Sequence, residues 1–513
     1  MKQLQSISVV APGFSGLNTQ DSSVSLPNSF SLAADNCVID KYGRLGARKG
    51  WTMQTTDGDD ELEGESIQFL HEHTNADNTL TVLSGGNNKI FKNGVSGVLT
   101  DVTPMSYTIT ANYWKAATIN DVALIVQEDH PPLIYSEAAS PECQELTDYK
   151  VHTPSYASSY PNDVLAAYGR FWVHDGSTVY WSTDIADTNF PAFAGGTSGT
   201  LNIASVLPKN VDRIVALAAH NDFLIIFCEY NTVIYNGAIN PISDSFALAD
   251  VIDGVGCLAR DSVQHTGTDL LFLSHEGVRS LGRVVQEKSL PQRDLTRNVR
   301  DDLSGYVTAE TDYNSIKSVY SEKEAFYLLS FPSLSTVYCL DMRRALDDGS
   351  ARVTRWVSHA ITAFTRTRDQ SVYLGKPDGI GKYSGYQDRG VSYRMRYAST
   401  HIDFQDSTMT KVLKRINAVV IGGKGQPFTI RSGTDYGGAN FFYDLEIQDS
   451  GLLAWGIGEW GVNEWSAGIN VEKVHTPANG SGKTIQIFFE ATINGAELSV
   501  QRLDLFVKTG RIN

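Results

Sequence analysis

An alternation of apolar and polar residues, the pattern of β-strands, recurs along most of this chain. Seven times between about positions 66 and 387, such a run is followed by a turn and a second run, as in GRFWVHDGSTVYWST and DFLIIFCEYNTVIYNG. One anchor residue can be matched in each repeat, and successive anchors are 43 to 55 residues apart. The anchors are Val82, Ile125, Trp172, Ile225, Phe272, Tyr327 and Tyr373. Several units also carry a strand-like run just upstream, such as IVALAAHN, so three strands per unit are visible.

A period of this length, with three or four short strands per unit, is typical of the blades of a β-propeller. Pairs of turn-forming residues separate the two runs of a unit and predict antiparallel hairpins. These pairs are Gly85-Gly86, Asp175-Gly176, Glu276-Gly277 and Asp378-Gly379. We therefore predict an all-β chain with a six- or seven-bladed β-propeller over residues 65–388. Two β-sandwiches whose strands only look periodic are the alternative, because the repeats share a pattern and not an identical sequence.

The two ends of the chain lack the repeat. After Val391 the strand-like runs are longer, as in KRINAVVIGG and KTIQIFFEATI, and they predict a β-sandwich-like platform domain over residues 391–513. Residues 1–64 contain turn formers and run into the acidic stretch DGDDELEGE. We predict that they form an N-terminal arm that packs on the platform or on a neighbouring subunit.

Charge and cysteine content exclude several classes of protein. The chain has 42 basic and 58 acidic residues, a formal net charge of -16, so its surface repels a nucleic-acid backbone overall. Its five cysteines form no C-x-x-C pair, which argues against a zinc site or a disulfide framework. No signal peptide or membrane-spanning run is recognisable. We therefore expect a soluble protein assembled in a reducing cytoplasm.

Three motifs that suggest chemistry fail on closer inspection. The segment ANGSGKT ends like a phosphate-binding loop, but Pro477 stands at its first glycine position and a strand pattern follows it. The pair His71 and His73 lacks a third metal ligand nearby, and the acidic stretch has Leu62 where a calcium loop needs glycine. We predict no catalytic residue, no metal, no cofactor and no small-molecule substrate. A propeller hydrolase remains an alternative, because two carboxylates placed by the fold would suffice.

Three tryptophans recur at five-residue spacing in AWGIGEWGVNEWSAG, at Trp455, Trp460 and Trp465. The glycines between them favour a tight loop in which the rings act as anchors in the sandwich or at an interface. A row of exposed aromatic rings that stacks on sugars is the alternative, and it would indicate a receptor- or glycan-binding protein.

Four stretches together resemble one family. They are GFSGLNTQDSSVSLPNSFSLAADNCVIDKYGRLGARKGW near the start, VGCLARDSVQHTGTDLLFLSHEGVRSL in the middle, the tryptophan stretch, and ELSVQRLDLFVKTGR near the end. Each is similar to a segment of the tail nozzle, or packaged-DNA stabilisation (head-completion), proteins of short-tailed bacteriophages. The resemblance covers both ends and the middle of the chain.

The resemblance implies a structural virion protein of the viral tail and not an enzyme. Six copies would form a tube below the portal and adaptor rings, retain the packaged double-stranded DNA and conduct it at ejection without sequence-specific binding. Tail spikes or fibres would be further partners. Within the N-terminal arm we predict an assembly role for Arg44, Arg48 and Trp51, which would contact a neighbouring subunit or the adaptor.

Overall fold

Seven antiparallel sheets surround one axis in the computed structural model, which describes residues 4–510 except 11–12, 59, 76, 94–96, 147–159, 185–191, 194, 208–211, 288–293, 424 and 448–470. Among the described residues, six of these sheets have four strands in the ring and the fifth sheet along the chain has three. All seven anchors of the sequence repeat lie on the second strand of a sheet. The chain is therefore a β-propeller, as its period predicted.

The described strands are numbered in chain order. Before the first blade lie β1 (Gln5–Val9), β2 (Gly16–Leu17), β3 (Phe30–Asp35), β4 (Cys37–Ile39), β5 (Leu45–Ala47) and β6 (Trp51–Thr56). Blade 1 has β7 (Phe69–Thr74), β8 (Leu80–Gly86), β9 (Lys89–Asn93) and β10 (Leu99–Asp101). Blade 2 has β11 (Lys115–Ile119), β12 (Val122–Gln127), β13 (His130–Tyr135) and β14 (Cys143–Glu145).

Blades 3 to 5 continue the pattern. Blade 3 has β15 (Asp163–Ala167), β16 (Arg170–Asp175), β17 (Thr178–Trp181) and β18 (Gly199–Asn202). Blade 4 has β19 (Ile214–His220), β20 (Phe223–Cys228), β21 (Thr232–Asn236) and β22 (Ala247–Ile252). Blade 5 has β23 (Gln264–His265), β24 (Leu270–Ser274) and β25 (Gly277–Ser280), followed by helices α1 (Leu281–Glu287) and α2 (Arg300–Ala309). Short 3-10 turns cover Arg260–Ser262, Arg297–Val299, Tyr313–Ser315 and Pro332–Leu334.

The last two blades lead into the C-terminal region. Blade 6 has β26 (Lys317–Ser321), β27 (Phe326–Phe331), β28 (Thr336–Asp341) and β29 (Arg352–Val357), and blade 7 has β30 (Phe364–Arg366), β31 (Val372–Lys376) and β32 (Gly379–Tyr383). The remaining strands are β33 (Tyr393–Ser399), β34 (Lys411–Gly422), β35 (Pro427–Thr434), β36 (Ala439–Glu446), β37 (Val471–Pro477), β38 (Ser481–Gly482), β39 (Ile485–Ile493) and β40 (Leu498–Thr509).

Blade 7 takes its outermost strand from the N-terminal part of the chain. Strand β6 pairs antiparallel with β32, with Trp51 opposite Tyr383 and Thr56 opposite Gly379. The inner strands β30 and β7 are in contact, which completes the ring of blades. The closure of the propeller therefore depends on a segment that precedes blade 1 in sequence.

At three of the four predicted places, the turn between the second and third strands of a blade contains a residue with a positive φ angle. Positive φ angles of 56°, 138° and 65° occur at Gly176, Gly277 and Asp378. The prediction for Gly85-Gly86 is wrong, because both glycines lie inside β8. The turn is made instead by Asn87 and Asn88, with φ of 45° and 56°. Asparagine adopts this left-handed conformation more readily than most residues, because its short polar side chain bonds locally.

Two more sheets form a β-sandwich beside the propeller. One has the strand order β37-β34-β40-β5-β4, with β1 paired to β40 and β38 to β34. The other continues outward from blade 6 in the order β29-β3-β33-β39-β35-β36, with β2 paired to β3. Alternate apolar residues of both sheets are buried in one core. Among them are Leu413, Ile416, Val420, Phe489 and Leu505.

The N-terminal segment contributes to both bodies. Strands β1, β4 and β5 belong to the first sandwich sheet, β3 belongs to the second, and β6 closes the propeller. Strands β29 and β3 share a single parallel pair, Arg355 opposite Asp35, whose side chains also form an ion pair at 3.0 Å. The Trp356 indole donates a hydrogen bond of 3.1 Å to the Cys37 carbonyl nearby. The N-terminal strands β1, β3, β4 and β5 therefore pack in the chain's own platform.

Candidate functional site

Charged side chains meet where the inner strands of the propeller begin. In blade 5 the inner strand is shortened to Gln264–His265, because a 3-10 turn over Arg260–Ser262 takes the place of its first residues. This turn carries Arg260 and Asp261 into the space between the neighbouring blades. We call the group of Lys115, Asp163, Arg260, Asp261 and Lys317 the axial cluster.

Arg260 connects three parts of the ring. Its guanidinium donates hydrogen bonds to the carbonyl of Asn162 at 2.6 Å and to the carbonyl of Tyr113 at 3.0 Å. It also pairs with the adjacent Asp261 carboxylate at 2.8 Å. Its side chain is almost fully buried. Arginine suits this position, because its planar guanidinium offers five N–H donors in a fixed geometry and can reach several acceptors at once.

The other members extend the cluster around the axis. The Lys317 ammonium of blade 6 lies 2.5 Å from the Asp261 carboxylate. The Lys115 ammonium of blade 2 lies 2.7 Å from the carboxylate of Asp163 in blade 3. The second oxygen of Asp163 accepts the backbone N–H of Leu217 in blade 4 at 2.7 Å. Blades 2 to 6 are therefore linked by charged groups and their hydrogen bonds.

Burial and charge act against each other within the cluster. Burial alone would raise the pKa of the Asp261 carboxyl, but the charges of Arg260 and Lys317 outweigh it and hold that pKa well below its usual range. Burial lowers the pKa of Lys317, and the charge of Asp261 opposes that shift. Buried charges of this kind are retained only when they are paired and hydrogen-bonded.

Members of the axial cluster line two cavities. The first, called the outer cavity, has a volume of about 440 Å³ and is lined by Arg260, His174, Asp312 and other residues of this propeller face. The second, called the inner cavity, has a volume of about 160 Å³ and is lined by Lys115, Asp261 and Lys317 among residues of the inner strands. The charged side chains of the cluster therefore contribute to the walls of both cavities.

The sequence analysis missed the axial cluster, although the repeats contain a signal for it. In four units a charged residue stands at the start of the first strand, at Lys115, Asp163, Arg260-Asp261 and Lys317. Because the first strands of all blades line the axis and begin at the same end, charges at that position must meet. Aligning the repeats on their first strand, and not on their second, would have revealed them.

The three predicted assembly residues have different surroundings. Arg48 is buried, with its guanidinium on both carboxylate oxygens of Asp388 at 2.9 and 2.7 Å and on Asn36 Oδ1 at 3.0 Å. Trp51 is buried at the start of β6. Both residues contact parts of their own chain, and their predicted contact with a neighbouring subunit or the adaptor stays a prediction. Arg44 is partly exposed and pairs with Asp40 at 2.6 Å.

Arg48 joins the N-terminal segment to the link between propeller and sandwich. Its guanidinium lies 4.0 Å from the centre of the Tyr393 ring, and Tyr393 is the first residue of β33, the strand that follows the propeller in the chain. The Asn36 side chain that receives its hydrogen bond also accepts the backbone N–H of Val357 in blade 6. We call the group of Arg48, Asn36, Asp388 and Tyr393 the Arg48 clasp.

Comparisons with known proteins bear on the fold alone. No protein-family profile and no curated protein matches the chain. Similar solved structures include the extracellular domain of a hybrid two-component system of B. thetaiotaomicron, at 10% identity and a TM-score of 0.39 over 66% of this chain and 40% of that one. PorZ of Porphyromonas gingivalis aligns at 12% identity and a TM-score of 0.37, over 68% and 42% of the two chains. The Pan2 WD40 domain of Neurospora crassa aligns at 8% identity and a TM-score of 0.36, over 65% and 95%.

These alignments thus span less than half of the length of the first two structures. At this identity they carry no information about substrate or partner. What this chain does must be argued from its own residues.

Histidines occupy the opposite end of the channel. His71 and His73 point to the same side of β7, and both rings contact the Thr118 hydroxyl, at 2.7 and 3.3 Å. Burial, with a smaller contribution from His73, lowers the pKa of His71 to about 3. His220 and His265, at the ends of β19 and β23, approach within 3.4 Å. Within the part of the chain that the structure describes, no group of three histidine, cysteine or acidic side chains could hold a metal.

Other sequence motifs have structural roles. The loop of ANGSGKT turns into β39, and the N–H groups of Lys483 and Thr484 donate to the Asp435 carboxylate at 2.6 and 3.0 Å. All five cysteines are buried free thiols, and burial raises the pKa of Cys143 and Cys257 to about 12. No helix in the described ranges has both the length and the apolar character needed to cross a membrane. Trp455, Trp460 and Trp465 lie outside the described residues.

We expect His174, on the wall of the outer cavity, to stay uncharged down to about pH 4. Burial lowers the pKa of its ring to about 4, against the opposing charge of Asp163. In the unfolded chain it protonates near pH 6.5. The stability it confers is therefore present above about pH 6.5 and is lost as the pH falls towards 4. NMR titration of the histidine ring resonances, assigned with His174→Gln, measures the midpoint. A midpoint near 6.5 would contradict this expectation.

Proposed function

We propose that the chain is a structural subunit of the tail nozzle of a short-tailed bacteriophage, placed below the portal and adaptor, which retains packaged DNA and conducts it at ejection. The observation that carries this proposal is the axial cluster. Paired charges that link blades 2 to 6 around the axis favour a rigid building block over a ligand-binding or catalytic centre. The family-like stretches of the sequence support the same role.

The small space at the axis of the propeller determines where DNA would pass. The major groove of duplex DNA alone is about 12 Å wide. The inner cavity of the propeller holds only about 160 Å³, and the charged side chains of Lys115, Asp261 and Lys317 line it. We therefore propose that DNA passes through a lumen between several copies of the chain, arranged as a homohexamer, and not along the axis of a propeller. The net charge of -16 would keep the DNA from adhering to the lumen wall.

Rigidity is the second requirement of a nozzle, and the contacts within the chain supply it. The propeller and the sandwich share a continuous sheet through β29 and β3, and the Arg48 clasp binds both bodies to the N-terminal segment. Two bodies joined in this way keep a fixed relative orientation more readily than domains joined by a flexible linker. A subunit of a pressurised tube benefits from this property.

Electron microscopy of immunogold-labelled protein in a lysate of its source tests the proposal. We expect gold at a single vertex of icosahedral particles, on the tail axis. Gold on peripheral appendages would instead support a receptor- or glycan-binding tail protein. Absence of label from particles would overturn the proposal and would direct work to enzyme assays on a glycoside panel.

A further inference from the structure

The turn between β4 and β5 and the crevice beside it have the properties of an interaction surface. We propose that this surface, formed by Lys41, Tyr42, Arg44 and Lys323 and called the docking turn below, binds an acidic surface of a second copy of the chain. The inference deepens the proposed function and rests on it for the ring of subunits. It names the residues of one copy that would make the contact.

The docking turn is held in one conformation. The Asp40 carboxylate accepts the backbone N–H groups of Tyr42 at 2.8 Å and Arg44 at 2.9 Å, and it pairs with the Arg44 guanidinium. Gly43 has a φ of 77°, which permits the tight reversal. Strand β5, which follows the turn, pairs with β40 in the sandwich. A loop fixed in this way loses little conformational entropy on binding.

A tyrosine is presented at its tip. Tyr42 is 63% exposed, although it belongs to a residue type that favours partial burial. Two cations lie over its ring, with Lys41 Nζ 5.0 Å and Arg44 Cζ 4.5 Å from the ring centre. Tyrosine and arginine are enriched among the residues that dominate the binding energy of protein interfaces. An exposed tyrosine with two cations over its ring is therefore suited to contact a protein.

The adjoining crevice has the opposite charge to the protein as a whole. It has a volume of about 370 Å³, and five basic and three acidic side chains line it. These are Lys41, Arg44, Lys49, Lys323 and Arg343 against Asp40, Glu324 and Glu497. Glu324 is shared by Lys49 and Arg343. Among the described residues no carboxylate pairs with Lys41 or Lys323, and both side chains are exposed.

Charge complementarity indicates which partner binds the docking turn and its crevice. The whole chain carries a net charge of -16, so the surface outside this basic crevice is strongly acidic. Another copy of the chain therefore offers the carboxylates that Lys41 and Lys323 lack. The backbone of duplex DNA fits less well, because it carries one negative charge per about 1.7 Å of helix axis. Among the described lining residues of the crevice, only Lys41 and Lys323 are basic without a carboxylate partner.

The same charges limit the symmetry of the contact. A two-fold axis through the crevice itself would place one basic crevice against another, which repulsion between like charges opposes. The docking turn therefore meets a different surface of its partner, and a heterologous contact has this property. Repeated contacts of this type close into a ring when the rotation between subunits allows it. The proposed contact is thus of the kind that a tube of subunits requires.

Photocrosslinking tests the proposal. Tyr42 is replaced by a phenylalanine that carries a benzophenone group, and both the purified full chain and the lysate of its source are illuminated. We expect a crosslinked product of two copies, with the crosslink on a carboxylate-bearing segment of the second copy. Tyr436, which is 64% exposed on a turn of the sandwich, is replaced in the same way to measure the background.

Charge reversal adds a second readout in the same assay. Lys41→Glu together with Lys323→Glu should lower the yield of this crosslink about tenfold. Lys473→Glu with Lys508→Glu makes the same change in net charge at exposed sandwich positions and should leave the yield unchanged. An equal loss in both double variants would show a general charge effect and would overturn the role of the docking turn.

The remaining outcomes separate this inference from the proposed function. Crosslinks from position 42 that do not exceed the Tyr436 background in either sample overturn the inference. Crosslinks to DNA or to a different protein overturn it as well, while gold on the tail axis would leave the proposed function standing. Self-crosslinks without gold on particles would retain the contact and reject the tail assignment.

Discussion

Replacement of Arg48 by alanine is expected to lower the free energy of unfolding by about 3–5 kcal/mol. The side chain of Arg48 is 1% exposed and donates to the carboxylate of Asp388 and to Asn36. Without it, the largely buried Asp388 carboxylate loses both hydrogen bonds of its counter-ion, and the Asn36 oxygen keeps only the Val357 N–H, so the cost of desolvation is less well compensated. Urea unfolding followed by tryptophan fluorescence measures the change.

Two companion variants sharpen this test. Arg48→Lys keeps the charge but loses the two-pronged contact with Asp388, so it should also destabilise the protein, by less than Arg48→Ala. Arg389→Ala removes an exposed ion pair with Asp378 from the neighbouring position and should cost less than about 1 kcal/mol. Equal losses for Arg48→Ala and Arg389→Ala would show that the Arg48 clasp does not stabilise the fold.

Replacement of Asp261 by asparagine is expected to destabilise the propeller by a similar amount, about 3–5 kcal/mol at pH 7. Its carboxylate is shared by Arg260 at 2.8 Å and Lys317 at 2.5 Å. The amide has the same shape but leaves two buried cations without a counter-ion. Asp378→Asn is the matched control, because it makes the same chemical change in an exposed ion pair and should cost less than about 1 kcal/mol.

The effect of Asp261→Asn on the free energy of unfolding should depend on pH. The charges around Asp261 hold its folded pKa below the value of about 3.9 that an unfolded chain has. The stability contributed by this group is therefore complete above about pH 4 and is lost as the pH falls below it. The difference in the free energy of unfolding between wild type and Asp261→Asn should decrease by up to about 1.4 kcal/mol per pH unit below pH 4. A constant gap down to pH 2 would contradict the cluster described above.

The sequence predicted the parts of the fold that depend on local pattern. The alternation around Trp172 and Ile225 identified the second strand of a blade, and KTIQIFFEATI identified a sandwich strand, because side chains on a strand alternate between two faces. Pairings between distant segments leave no such periodic trace. Nothing around Trp51 indicates that β6 completes blade 7, because its partner β32 lies more than 300 residues away.

The residues of the candidate site also depend on contacts between distant segments, which the sequence pattern does not reveal. Arg48 was singled out from a family-like motif, but its burial depends on Asp388 and Tyr393, which only the folded chain brings near it. The cluster of Arg260 and Lys317 was missed because its members come from separate repeats.

The pairing of the first strands with the last has a consequence for synthesis of the protein. Strand β1 pairs with β40, and β5 does so through Gly46 and Leu45, which lie opposite Ser499 and Val500. On the ribosome these N-terminal strands must wait for their partners until translation has passed residue 500, a long exposure for unpaired strand edges. Prematurely terminated chains would therefore lack a properly supported docking turn. If the docking turn binds a second copy as proposed, this topology would act as proofreading, because chains that end before β40 would not present the turn for incorporation.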